Sequence, residues 1–220
     1  MSLRLDWCSY EAARYAVTHW HYSGRMPAAK LARVGVWQED EFIGAVIYGC
    51  GVKNALVRQY GLEPWEGCEL VRVALTKHRD TVSKIVAISL KLLRRGFPRL
   101  RLVVSFADPV QGHHGGIYQA LGWIYSGETQ SQTHPVIDGV VRHARTLGEM
   151  IRAGTVAKRS DVVHVDIPPK HRYLKALDDE MSERIRKLAK KYPTRPASVK
   201  VARPTFQLGG AGAVPSAGLK

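Results

Sequence analysis

Cysteine is scarce: the three present, Cys8, Cys50 and Cys68, form no CxxC pair and no even set. That excludes a disulfide framework or a thiolate zinc site as the organising feature and favours a reducing compartment. No apolar run approaches the roughly 20 residues that a membrane-spanning helix needs. The opening MSLRLDWCSY has no apolar stretch of the secretory kind. The expectation is therefore a cytoplasmic protein without a membrane partner. Acidic residues are also few, 19 Asp and Glu against 33 Lys and Arg, for a net charge of +14. An excess of that size points to a polyanionic partner, nucleic acid first. It is densest at the C-terminal end, where residues 168–220 hold 12 Lys and Arg against 4 Asp and Glu. The hydrophobic fraction of 45% is still enough for a core.

Residues 100–123, LRLVVSFADPVQGHHGGIYQALGW, organise the rest. The β-branched run 102–106 reads as a buried strand, stopped by Asp108-Pro109, because Pro109 cannot donate to a ladder. Asp108 thus falls at a strand's carboxyl end, where open α/β sheets place ligands. A glycine-rich loop with His113 and His114 follows, then a short helix at 117–121 closed by Gly122, then a strand from Trp123. The bland alternative is a capping Asp, solvated histidines and a core Tyr118.

In chain order, residues 9–20 predict an amphipathic helix with Ser9 as N-cap. Residues 31–37 and 42–49 predict a hairpin turning at 38–41. A loop with a short helix is expected at 56–67, a strand at 68–76, and a helix from about Asp80 that stops at Gly96-Phe97-Pro98. A DG-turn hairpin at 135–141, a short helix at 146–153, a strand at 162–167 and a charged helix at 175–191 follow. After Pro193 the Pro, Gly, Ala and Ser content reads as a flexible tail. The expected division is 1–175 as the main domain, 176–192 as a basic helix and 193–220 as the tail. The fold class is mixed α/β, with a twisted sheet of six or seven strands and helices on both faces.

The element order resembles the core of the Gcn5-related acetyltransferase fold. More specific residues are His21-Tyr22, Arg79-Asp80-Thr81-Val82-Ser83-Lys84, Ser105-Phe106-Ala107-Asp108-Pro109 and the run Gly116-Ile117-Tyr118-Gln119-Ala120-Leu121-Gly122-Trp123. Together they resemble the Mom family of bacteriophage DNA-modification proteins, over about residues 8–175. The resemblance implies conversion of DNA adenine to its N6-carbamoylmethyl form, shielding DNA from restriction enzymes in the phage-infected host. It also implies catalytic roles for His21, Tyr22, Asp108 and Tyr118, and iron as a cofactor, with His21, Asp108 and Tyr118 as its ligands. On chemical grounds Asp108 is the candidate base at N6, and Tyr118 the candidate acid.

Acetyltransferases of this fold hold the coenzyme A pyrophosphate on a glycine-rich loop before a helix. The corresponding residues here, 76–81, contain no glycine. Lys77, Arg79, Thr81 and Ser83 are the candidate donor-binding residues, Asp80 competes with an anion as a helix cap, and acetyl coenzyme A or another activated donor stays open. The partner implied is double-stranded DNA. An enzyme acting on a base must extrude it and stack it, which makes Trp20, Tyr22 and, less so, Trp123 candidates. Arg25, Lys30, Arg33, Lys170 and Arg172 are candidates for phosphate contacts. Two other readings remain: an ordinary acetyltransferase acting on a protein or small amine, and a basic DNA-binding protein without catalysis.

Overall fold

The computed structural model describes residues 2–50, 54–142, 144–156, 158 and 162–194. They fall into two compact units, the first from the described residues of 2–130 and 169–194, the second from those of 131–168.

The first unit holds one seven-stranded sheet. Its strands are β1 (Leu3–Trp7), β2 (Lys30–Gln38), β3 (Glu41–Cys50), β4 (Gly67–Leu75), β5 (Leu102–Ala107), β6 (Ile124–Glu128) and, after the second unit, β10 (His171–Ala176). The spatial order is β1-β2-β3-β4-β5-β10-β6. All neighbours are antiparallel except β4 and β5, which run parallel. Its helices are α1 (Tyr10–Trp20), α2 (Asn54–Arg58), α3 (Val82–Gly96), α4 (Gly116–Ala120) and α6 (Asp179–Arg186). The architecture is mixed α/β.

Strand alternation sends side chains to the two faces of the sheet, where they join three buried clusters. From β3, Val46 and Tyr48 join Ile85 and Leu93 of α3 on one face. Ala45 and Ile47 meet Ala13, Ala16 and Val17 of α1 on the other. From β5, Val103 joins the α3 side, while Leu102 and Val104 pack with Val57, Met181 and Ile185. Helices therefore cover both faces. Local rules set their ends: Ser9 Oγ accepts from Ala12 N at 3.1 Å, and Asp178 Oδ1 accepts from Met181 N at 2.8 Å. The β2–β3 hairpin turns on Glu39 and Asp40, both at positive φ.

The second unit is a three-stranded sheet, β8 (Val140–Val141), β7 (Gln132–Ile137) and β9 (His164–Ile167) in that order, with α5 (Ala144–Arg152). The expected DG turn is there, with Asp138 and Gly139 both at positive φ.

Several expectations need correction. β1 was not anticipated, although Leu3 and Leu5 point inward between exposed Arg4 and Asp6. The charged helix expected from Lys175 is instead strand β10 followed by the shorter α6. Tyr173 and Leu174 are both fully buried, so this central strand shows no alternation, and Leu177, Met181 and Ile185 mimic a longer helix. The Asp80 cap is supplied by Thr81, whose hydroxyl accepts from Lys84 N, while Asp80 pairs with Lys84 Nζ at 2.6 Å. The expected tail lies outside the described residues from 195 onward.

The loop after β5 depends on Gly115, at φ +84, where a Cβ would fall 2.2 Å from the Tyr173 ring. Gly115→Ala should destabilise the protein by at least about 1–2 kcal/mol from the left-handed backbone alone. Urea unfolding measures this, and an unchanged midpoint would contradict the packing described.

Candidate active site

Parallel pairing between β4 and β5 covers only Gly67 with Leu102, Cys68 with Val103 and Glu69 with Val104. Beyond it both strands continue, β4 to Leu75 and β5 to Ala107, without a shared ladder. Strand edges left unpaired need other partners. One is Ser105, whose buried hydroxyl lies 2.9 Å from Leu70 O and 2.7 Å from Tyr118 Oη. A serine has one proton and the carbonyl can only accept. Ser105 therefore serves Leu70 O, and Tyr118 supplies the proton of the second contact.

A cleft of about 450 Å³ fills the split, a volume within the roughly 300–1,000 Å³ of small-molecule sites. Leu70 to Val73 of β4 form one wall, Phe106 and Ala107 of β5 the other, and residues 112–118 the far side; His21 and Tyr22 also line it. No carboxylate among the described residues lines it.

Sequence fixes this geometry step by step. Asp108 ends β5 and caps the turn Pro109–Gln111, accepting from Val110 N at 3.0 Å. Gly112 and Gly115, both at positive φ, bring the chain back toward the sheet. Tyr173 donates to His114 O at 2.6 Å and holds the loop down. Tyr118 then packs with ring centroids 5.0 Å from both Trp123 and Tyr173. Burial pushes its phenol up to about 12, so Tyr118 keeps its proton at neutral pH.

His21 and Tyr22 follow the end of α1. His21 Nδ1 accepts from Ser23 N at 3.1 Å and lies 2.8 Å from Ser23 Oγ. Nδ1 is thus the acceptor, and the ring proton of the neutral form sits on Nε2. Burial, with Arg72 and His113 nearby, lowers His21 to about 4. Burial also lowers His113, against the pull of Asp108. Tyr22 is 58% exposed and lies between them, its centroid 4.2 Å from His21 and 5.6 Å from His113. An open aromatic ring at a cleft is a ready stacking platform.

Of the residues singled out in the sequence, the structure brings His21, Tyr22 and Tyr118 to one cleft. Asp108 stands beside it: its carboxylate is 2.7 Å from Lys170 Nζ and is not among the lining groups. Lys170 is therefore engaged in an ion pair, and Arg172 hydrogen-bonds to Gln59 Oε1 and Glu128 O. Trp20 packs near Tyr15 and Phe42, away from the cleft lining. Trp123 is fully buried in the core. Arg33 reaches the carbonyls of Cys8 and Leu31 at 3.4 Å, while Arg25 and Lys30 are exposed. Lys77, Arg79, Thr81 and Ser83 do not line the cleft. Arg79 pairs with Glu39 at 2.9 Å, and Thr81 is taken by its cap and by Ser83. His78 and Val82 of the same segment do line it. Arg72 was missed, and Ser105, quoted with the motif around Asp108, was given no role, because neither stands out in a strand pattern.

The donor set for iron does not fit as arranged. Asp108 is held by Lys170 and Val110 N, Tyr118 by Ser105, and His21 carries its proton on the nitrogen that a metal would need. Among the described residues no group of three or more His, Cys, Asp or Glu is placed to hold a metal ion.

A family model described as the Mom protein family matches residues 2–194. The chain belongs to the Mom protein family. The match spans every residue lining the cleft, and reaches beyond both ends of the resemblance read from the sequence. Within this similarity, methylcarbamoylase Mom of Escherichia phage Mu is 28% identical over 193 residues, covering 83% of this chain and 79% of that protein. A crystal structure of aminoglycoside N-acetyltransferase AAC(6')-Ib11 aligns with 80% of this chain and 98% of its own, at 10% identity and a TM-score of 0.47. No helix among the described residues of this Mom-family protein is long and apolar enough to cross a membrane.

The state of His21 gives a pH signature. Its folded value, about 4, lies below its ordinary 6.5. Between those values the unfolded chain binds a proton that the folded chain refuses. Its contribution is therefore fully present above pH 6.5 and is lost as pH falls toward 4. His21→Gln should flatten this part of the stability curve and leave the part due to His113. Urea midpoints at pH 7 and pH 5 test this; an equal fall in wild type and variant would contradict it.

Proposed function

We propose that this protein is a DNA-modifying transferase that places a carbamoylmethyl group on adenine N6. The observation that carries the reading is membership of the Mom family across the whole cleft, with a phage Mu relative named methylcarbamoylase. The chemistry is an exchange at carbon. A bond forms between N6 and the methylene, the bond from the methylene to its leaving group breaks, and N6 loses a proton.

The cleft residues suit such a reaction. The N6 amine is a poor nucleophile, so orientation and proton handling matter most. Tyr22 stacks the extruded adenine, which the duplex would otherwise hide. Tyr118, protonated at neutral pH, donates to Ser105 Oγ at rest and turns that one proton to the leaving group as the bond to the methylene breaks. Neutral His21 presents Nε2–H as a hydrogen-bond donor. Asp108, beside the cleft rather than in its lining, shapes the loop through Val110 N and Lys170, and the N6 proton passes to water at the cleft mouth. The net charge of +14 supplies the attraction for DNA, and modification there would protect it from restriction enzymes in the host cytoplasm.

Nucleoside mass spectrometry on DNA from cells expressing the protein tests the reading. The expected result is a modified adenosine heavier than adenosine by one carbamoylmethyl group in place of a hydrogen. Tyr118→Phe should lower its yield by about 10²–10⁴-fold, the usual cost of a lost general acid. An acetylated nucleoside, or unmodified DNA from a well-folded protein, would overturn it.

A further inference from the structure

The cleft contains one arginine that the sequence reading left aside. Arg72 lies on β4 just after a bulge: Ile47 pairs with Arg72 and Tyr48 with Leu70, which leaves Val71 without a partner on β3. Bulges re-aim side chains, and Arg72 lines the cleft. A guanidinium has five N–H donors. Nη1 donates to Val71 O at 2.7 Å. Nε is buried and has no protein partner. No described carboxylate makes an ion pair with Arg72, and none lines the cleft. The other arginines near carboxylates here, Arg79, Arg101 and Arg184, are all paired.

We propose that Arg72 is the anion-binding residue of the cleft, and that the small-molecule donor carries a carboxylate or phosphate group that it receives. The proposal rests on the transferase reading above and adds the chemical class of its second substrate. An arginine whose buried Nε lacks a partner carries a desolvation cost that a bound oxyanion would offset. The planar fork matches either oxyanion in two parallel hydrogen bonds. The position favours the donor over DNA. Arg72 is half-buried on the wall of the cleft, whereas the backbone of an extruded nucleotide stays at the mouth. The β4–α3 segment, with Thr81 capping its own helix and Arg79 paired to Glu39, leaves the anion to Arg72.

Isothermal titration of the full chain with inorganic phosphate, pyrophosphate and acetate tests this. Wild type should bind at least one of the three. Arg72→Gln should weaken that binding about tenfold or more, and Arg72→Lys should fall between, since lysine keeps the charge but not the fork. A thermal melt accompanies each variant; if Arg72→Gln does not fold, Arg72→Lys decides, and undiminished binding in it overturns the proposal. Binding of none of the three probes by wild type, or equal binding by Arg72→Gln, also overturns it. A duplex-DNA titration against salt separates the sources of the anion. An unchanged salt slope in Arg72→Gln supports the donor, and a slope smaller by about one assigns the arginine to a DNA phosphate instead. These readings need no modified adenine, so anion binding and the DNA chemistry can fail independently.

Discussion

Parallel pairing between β4 and β5 ends at Glu69 and Val104, and the strand edges beyond it must find other partners. On its far side β5 pairs with β10 along its whole length, from Leu102 to Ala107. The sheet therefore cannot close the gap by moving β5 toward β4 without giving up the β10 ladder. The gap is filled by side chains instead: Ser105 takes Leu70 O, Tyr118 leans on Ser105, and the loop ahead of α4 is held by Tyr173. The cleft is a consequence of this pairing, and the reactive groups at it are the ones that the sheet needs there.

How much of this was legible in the sequence follows the strength of local signals. The strand at β5, the stop at Asp108-Pro109 and the Ser9 cap of α1 all rest on short-range rules, and they appear where those rules put them. The His21-Tyr22 pair and Tyr118 were legible through the family motif, and the fold brings them to one cleft. β10 was illegible because it is buried on both faces and its neighbours continue a helical stripe. The engagement of Asp108 by Lys170 could not be read either. These residues are 62 positions apart in sequence, and only the return of β10 beside β5 makes them neighbours. Arg72 depends on a bulge, which a strand pattern does not encode.

The charge distribution acquires a division of labour from the structure. Lys170, a cation that the sequence offered to DNA, is spent internally on Asp108, and Arg101 and Arg184 are likewise spent, the first on Asp178 and Glu180 and the second on Glu180. Exposed Arg25 and Lys30 stand close in sequence to His21 and Tyr22 and remain suited to a phosphate backbone. Inside the cleft, His21 and His113 are held toward their neutral forms, so the fixed positive charge there is that of Arg72. A neutral base can thus stack on Tyr22 while an anionic group is met deeper in the wall.

The central claim is that the cleft between β4 and β5 receives the adenine. The most direct measurement is photocrosslinking of the full chain to a duplex carrying 8-azidoadenine, with the adducts mapped by mass spectrometry. The account predicts adducts on Tyr22, His113 or Phe106, and their loss from the cleft when excess unlabelled duplex competes. Adducts confined to residues outside the cleft lining, with none on these three, would contradict it.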